Sequence, residues 1–116
     1  MRVILCVAFL VGLSGPVMSA ARFMDGNTLL RLCSGTHAEV IYCTGYLVGV
    51  VDALLLNDNG ISVGKWGPYR FCIPDGADSN HLPEIIKPWI SANPKKQQFE
   101  AAAFVAKALS DVWPCK

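Results

Sequence analysis

The sequence lacks the residue patterns on which most enzymes depend. It contains no GxSxG, HExxH or CxxC motif and no phosphate-cradling glycine loop, and its two histidines, His37 and His81, lie far apart. Charged residues make up only 16% of the chain, and the formal net charge is +1. Lysine and arginine do not cluster into the basic patch that nucleic acid requires. We therefore expect a protein with no catalytic activity, no cofactor and no nucleic-acid partner.

Two chemical alternatives depend on the cysteines. Cys33, His37 and Cys43 are candidate zinc ligands, and an unpaired cysteine with His37 or His81 as its base is a candidate nucleophile. The spacing departs from the usual paired-ligand patterns of zinc sites. An oxidising compartment also favours disulfides over thiolates. We expect neither a metal site nor a catalytic cysteine.

The N-terminus has the order of a secretory signal peptide. A positive charge at Arg2 is followed by an apolar run at residues 3–13, a helix-breaking segment and small residues up to Ala21. The run is too short for a membrane anchor, which needs about 20 apolar residues. We predict that residues 1–21 are cleaved, and that residues 22–116 form one exported domain without a membrane anchor.

The exported domain keeps an even number of cysteines, which is typical of a disulfide framework in a small secreted protein. These cysteines are Cys33, Cys43, Cys72 and Cys115. Four cysteines allow three connectivities. We favour Cys33–Cys43, because a short turn joins the first two predicted helices. We favour Cys72–Cys115, because an antiparallel helix pair returns the C-terminus towards Cys72.

Hydrophobic periodicity predicts an all-α fold, a small four-helix domain with two disulfides. The predicted helices cover residues 28–33, 38–56, 82–90 and 94–113. Asn27 is the expected N-cap of the first helix, and Pro94 occupies the first position of the last. Pro88 is expected to kink or shorten the third helix, because proline removes a backbone donor.

The second predicted helix is apolar on nearly all sides. Such a helix is either buried centrally or covered by a second subunit. Gly45 and Gly49 lie one turn apart and would let another helix approach closely, so we expect a homodimer. Asp52 argues against a membrane span and is expected to be a buried or interfacial acid.

Residues 61–71 are predicted to form a long exposed loop, with a brief extended piece as an alternative. The partner-binding residues are expected within residues 57–70. This segment contains aromatic and cationic residues of the kinds that dominate interface energetics. The candidate partner-binding residues are Lys65, Trp66, Tyr69 and Arg70. The alternative is that Trp66 and Tyr69 fold back onto the core as a lid.

Several segments together resemble the Rap/Tai family of type VI secretion immunity proteins. They are LLRLC, YCTGYLVGVVD, CIP, a helix that ends in NP, and VWPC at the C-terminus, and they span about residues 28–115. The most specific block, C-x-G-Y-x-x-G-x-x-D, contains Gly45, Tyr46, Gly49 and Asp52. The resemblance implies that these motif residues are structural rather than contacts with a partner.

The resemblance also implies a function. Proteins of this family are periplasmic, helical and usually dimeric, and they bind a peptidoglycan amidase effector and insert a loop into its active-site cleft. By position, residues 60–70 are the expected inserted loop. Two alternatives remain open from the sequence: an acid-activated periplasmic chaperone of the Hde type, and an envelope-associated helical domain that has lost its toxin.

Overall fold

The computed structural model describes residues 23–55 and 63–116. In chain order these residues form α1 (Gly26–Cys33), α2 (His37–Leu55), β1 (Val63–Trp66), β2 (Tyr69–Cys72), α3 (His81–Ala92) and α4 (Ala101–Val112). A short 3₁₀ helix, Pro94–Lys96, lies between α3 and α4. The predicted signal peptide, residues 1–21, lies outside the described residues, and so does the part of the predicted partner-binding segment at residues 57–62.

The predicted all-α class is wrong, because the segment predicted to be a loop contains a β-hairpin. Strands β1 and β2 pair antiparallel, with Trp66 opposite Tyr69 and Val63 opposite Cys72. Gly67 supplies the positive φ of 53° that a two-residue hairpin turn requires. Glycine and proline in this segment therefore form the turn of a short sheet, whereas the sequence interpretation favoured a long loop and gave a brief extended piece only as an alternative.

Side-chain caps begin the first two helices. The cap of the first helix differs from the predicted residue, and no cap was predicted for the second. The cap of α1 is Asp25 rather than Asn27, because the Asp25 Oδ1 accepts a hydrogen bond of 2.8 Å from the Thr28 amide. At the start of α2, the Thr36 amide donates to Glu39 Oε2 at 2.8 Å, and the Glu39 amide donates to Thr36 Oγ1 at 3.4 Å. This reciprocal pair is a capping box.

The last two helices differ from their predicted bounds. The helix α3 continues past Pro88 to Ala92, so the proline does not end it. The helix α4 begins at Ala101, seven residues later than predicted from Pro94. The delay has a structural cause: the backbone of Phe99 and Gln97 accepts hydrogen bonds from Gly26 and Asn27 instead of joining a helix.

One hydrophobic core joins all four helices and the hairpin. The helix α4 is central to it, since it packs against α2, α3 and both strands. The largest fully buried side chains are Phe71, Leu29, Leu47, Ile86, Ile90, Leu109, Val105 and Cys43. The hairpin is thus part of the folded core through Phe71 rather than an appendage.

Both favoured disulfides are present. Cys33 of α1 is bonded to Cys43 of α2, with Cα atoms 5.1 Å apart. Cys72, at the end of β2, is bonded to Cys115, beyond the end of α4, with Cα atoms 4.9 Å apart. All four cysteines of the described residues are therefore in disulfides. Cys33 and Cys43 therefore have no free thiolate to bind zinc. None of these four cysteines has a free thiol that could act as a nucleophile.

Candidate partner-binding site

The tip of the hairpin is an exposed two-residue turn, Gly67 and Pro68, flanked by two aromatic residues. Trp66 and Tyr69 are paired across the strands, so their side chains lie on the same face of the sheet. Trp66 remains 43% exposed, whereas Tyr69 is half-buried against the core. The lid expected as an alternative applies to Tyr69 more than to Trp66.

The same face of the hairpin attaches it to the domain. Phe71 is fully buried and lies beside Gly64 on the neighbouring strand. A Cβ atom at Gly64 would overlap the Phe71 ring, so the close contact depends on glycine. Beyond Phe71, the Cys72 amide donates a 2.8 Å hydrogen bond to the Trp113 carbonyl. The base of the hairpin is therefore fixed by a buried ring, a hydrogen bond and a disulfide.

The structure separates the four predicted partner-binding residues into two pairs. Trp66 and Tyr69 lie on the face that turns towards α4. Lys65 and Arg70 are opposite each other in the strand register and lie on the other face, where both are exposed. The hairpin thus presents an aromatic face and a cationic face.

The aromatic face forms one wall of an open groove of about 490 Å³. The groove is lined by Trp66, Tyr69, Lys96, Phe99, Glu100, Ala103, Phe104 and Lys107. Phe99 is 53% exposed and lies in the irregular segment before α4. Sequence reasoning missed Phe99, Lys96 and Lys107 as site residues, because it assigned Phe99 to the apolar face of the last helix. No sequence pattern links these residues to the hairpin, which is about thirty positions away.

A chain of polar contacts borders this groove. The Trp89 indole nitrogen donates to Asp111 Oδ2 at 3.1 Å, and Lys107 forms an ion pair with the same carboxylate. The Lys107 ammonium also lies over the Tyr69 ring, 5.5 Å from its centroid. The hydrogen bonds from Lys107 and then from Trp89 lower the pKa of Asp111. This series of contacts connects α3 and α4 to the hairpin at Tyr69.

The domain thus presents an aromatic turn on a hairpin whose base is anchored to the core. Residues 25–115 match the family of Rap1a immunity proteins, which is nearly the whole of the described chain. The protein belongs to the Rap1a immunity protein family. Among curated proteins, none is similar enough to this chain to count as a relative.

Membership in the Rap1a family assigns the chain a role in immunity against a type VI effector, and a cognate effector as its partner. Proteins of the family are generally non-catalytic and typically periplasmic. The family assignment favours immunity over the two alternatives, an acid-activated chaperone and an envelope-associated domain.

The family-motif residues lie mainly on the outside of α2. This helix buries Cys43, Leu47, Val51 and Leu54 along one side. Gly45, Gly49 and Asp52 are on the opposite, exposed side, and among the described residues a Cβ atom at either glycine would have no neighbour within 4 Å. Within the monomer, these three residues therefore do not serve packing. Asp52 is not buried as one alternative expected, since α2 turns only its other side to the core.

The exposed side of α2 is also apolar. Ile41 and Tyr42 are 59% and 61% exposed, and they flank the surface that Gly45 and Gly49 leave open. Tyr46 is half-buried beside this surface, and burial followed by the charge of Glu100 raises its pKa. By length and composition α2 could cross a membrane, a test that core helices of soluble proteins also pass. This surface is a second candidate site for a partner.

Proposed function

We propose that this protein neutralises a type VI-secreted peptidoglycan amidase in the periplasm by inserting its hairpin tip into the active-site cleft of the enzyme. The observation that carries the proposal is the exposed Gly67-Pro68 turn with Trp66 and Tyr69 beside it. A two-residue turn is narrow, and Trp and Tyr are the side chains that most often anchor protein interfaces. A turn of this kind is suited to filling a cleft that normally receives a peptide.

The hairpin is held firmly to the core, and such a segment is better suited to inhibition than a flexible loop. Phe71 is buried, and the Cys72–Cys115 disulfide ties the end of β2 to the C-terminal segment. A segment already held in its bound shape loses little conformational entropy on binding, and this strengthens the complex. Nothing in the mechanism needs a catalytic group on this protein, because exclusion of the substrate is sufficient.

The predicted export of residues 22–116 is part of this proposal. Amidases of the cell wall act outside the cytoplasm, and a protector has to be present where they act. The two disulfides support this location, since disulfides persist in the periplasm and are rare in the reducing cytoplasm. The proposal requires cleavage of the signal peptide and no lasting membrane anchor.

The experiment that tests occlusion measures inhibition of a purified peptidoglycan amidase effector, for which the first candidate to examine is the product of the neighbouring gene. Trp66→Ala and Tyr69→Ala should each weaken inhibition by at least about 1 kcal/mol, which is about fivefold in the inhibition constant. Phe23→Ala is the matched control, because Phe23 is fully exposed and does not line the groove. Inhibition should also be competitive with peptidoglycan fragments. A folded double variant that inhibits as well as the wild type would refute the proposal.

We further propose that the exposed side of α2 is the seam of a homodimer. Tyr42 and Asp52 lie at equal distances on either side of the midpoint between Gly45 and Gly49. Antiparallel pairing of two α2 helices about a twofold axis at that midpoint brings Tyr42 of each copy to the same level along the seam as Asp52 of the other. A surface that matches its own copy in this way is what a twofold interface requires.

The dimer proposal is tested by Gly45→Leu. The monomer has open space at this position, so the variant should fold normally, while the new side chain prevents close approach of a second helix. Sedimentation should then change from dimer to monomer. The control is Ala92→Leu, an exposed position at the end of α3. A wild-type protein that sediments as a monomer at micromolar concentration would refute the seam.

A further inference from the structure

Cationic side chains surround the hairpin on both of its faces. Lys65 and Arg70 occupy the outer face, and Lys96 and Lys107 line the groove beside the inner face. Lys116 lines the other flank of the hairpin together with Arg70. These residues come from the hairpin, the 3₁₀ helix, α4 and the C-terminal segment, and only the fold brings them to one end of the domain. We name them the basic end: Lys65, Arg70, Lys96, Lys107 and Lys116.

Within residues 23–55 and 63–116, few carboxylates belong to the segments that form this end of the domain. Within residues 63–72 and 94–116 the acidic side chains are Glu100 and Asp111, and Asp111 is paired with Lys107. The remaining carboxylates of the described residues are on α2, α3 and the segments that precede α1 and α3. They are Asp25, Glu39, Asp52, Asp75, Asp78 and Glu84. The formal net charge of the chain is only +1, so the field at the hairpin results from the separation of charges and not from their sum.

We infer that the basic end binds an acidic surface around the active-site cleft of the effector, and that the attraction between them speeds association. The inference rests on the proposed function and adds the chemistry of the partner. Charges that surround a binding surface without being buried in it act mainly on the association rate. The aromatic pair at the tip would then govern dissociation, and the basic end would guide the tip to the cleft.

The test compares two charge reversals that change the net charge equally. Lys65→Glu alters the basic end, and Lys87→Glu alters α3, where Lys87 lines a different cavity beside Glu84 and Pro88. With the purified effector amidase, Lys65→Glu should slow association about tenfold at low salt, and dissociation should change much less. Lys87→Glu should stay within about twofold of the wild type. Raising the salt concentration should slow the wild type and remove the difference between the variants.

The outcomes separate this inference from the proposed function. If the wild type does not bind the amidase, the proposed function fails. If it binds, but with a rate that is independent of salt and equal in both variants, only the inference about the acidic surface fails. Stronger binding to purified peptidoglycan sacculi, lost in the Lys65→Glu variant, would overturn it in favour of the cell wall as the anionic partner. On a sulfonate column, Lys65→Glu should elute before Lys87→Glu, and equal retention would contradict a basic end.

Discussion

The two disulfides hold different kinds of structure. Cys33–Cys43 joins α1 to α2 across a short turn that a capping box and the Arg31–Glu39 ion pair also support. Cys72–Cys115 joins the hairpin to the C-terminal segment, with a sequence separation of 43 instead of 10. The first bond adds to local structure that has other supports. The second fixes a surface that we propose to be functional. The comparison separates stability from activity within one small domain.

The largest effect is expected from removing the second disulfide. In the chain-entropy model, the Cys72→Ser/Cys115→Ser pair should lower the free energy of unfolding by about 4 kcal/mol, against about 3 kcal/mol for Cys33→Ser/Cys43→Ser. Denaturant titration of both pairs measures this difference. Under conditions where both variants are fully folded, the second pair should weaken amidase inhibition and the first should not. Equal inhibition by both would contradict the functional role of the second bond.

The two regions also differ in what their sequence predicts. Leu29, Leu47 and Ile86 follow helical periods, because each helix buries one side, and the helices were predicted for that reason. The favoured disulfides followed from the short reach between adjacent helices. The capping box at Thr36 and Glu39 carried a recognisable sequence pattern that the interpretation of this turn overlooked.

The hairpin and the groove were harder to predict from sequence. Each strand has four residues, too few for a clear alternation, and Gly64 indicated a loop although it serves to admit Phe71. The groove joins Trp66 to Phe99, and only the packing of α4 against the hairpin brings them together. The late start of α4 depends on hydrogen bonds with residues 24–27, a long-range contact with no local pattern.

Two glycine substitutions, one in the hairpin and one in α2, should change the free energy of unfolding by intermediate amounts. Gly64→Ala should destabilise the protein by about 1 to 3 kcal/mol, because the added methyl group overlaps the Phe71 ring. At protein concentrations where the proposed dimer is dissociated, Gly45→Ala should instead stabilise the monomer by about 0.5 to 1 kcal/mol, since the position is open in the single chain and alanine favours a helix. Thermal and denaturant unfolding measure both changes. A neutral Gly64→Ala would mean that the hairpin is not held tightly against the core.

The smallest expected effects are changes in the free energy of unfolding at acidic pH. The Thr36 amide is the main cause of the lowered pKa of Glu39, and the Lys107 hydrogen bond is the main cause for Asp111. A depressed carboxyl pKa stabilises the folded state above the unfolded pKa, and that stabilisation is lost as the pH falls through the folded value. We expect stability to be level near neutrality and to decline below the unfolded values of 4.5 and 3.8.

Two substitutions measure these contributions separately. Asp111→Asn should cost less than about 1 kcal/mol at pH 7, because the ion pair is exposed. Glu39→Gln should remove part of the acid dependence at the end of the domain that carries the first disulfide. Denaturation midpoints between pH 3 and pH 7 give both effects. A variant whose acid dependence equals that of the wild type would show that the substituted carboxylate does not contribute.

Site-specific cross-linking shows whether the hairpin tip enters the catalytic cleft of the effector. A photoreactive residue at Pro68, in the exposed turn, is compared with one at Asp75, in another exposed turn. If the hairpin tip fills the cleft, position 68 should cross-link to residues that line the active site of the amidase, and position 75 should not. Cross-links from position 68 only to surfaces remote from the active site would contradict insertion of the tip.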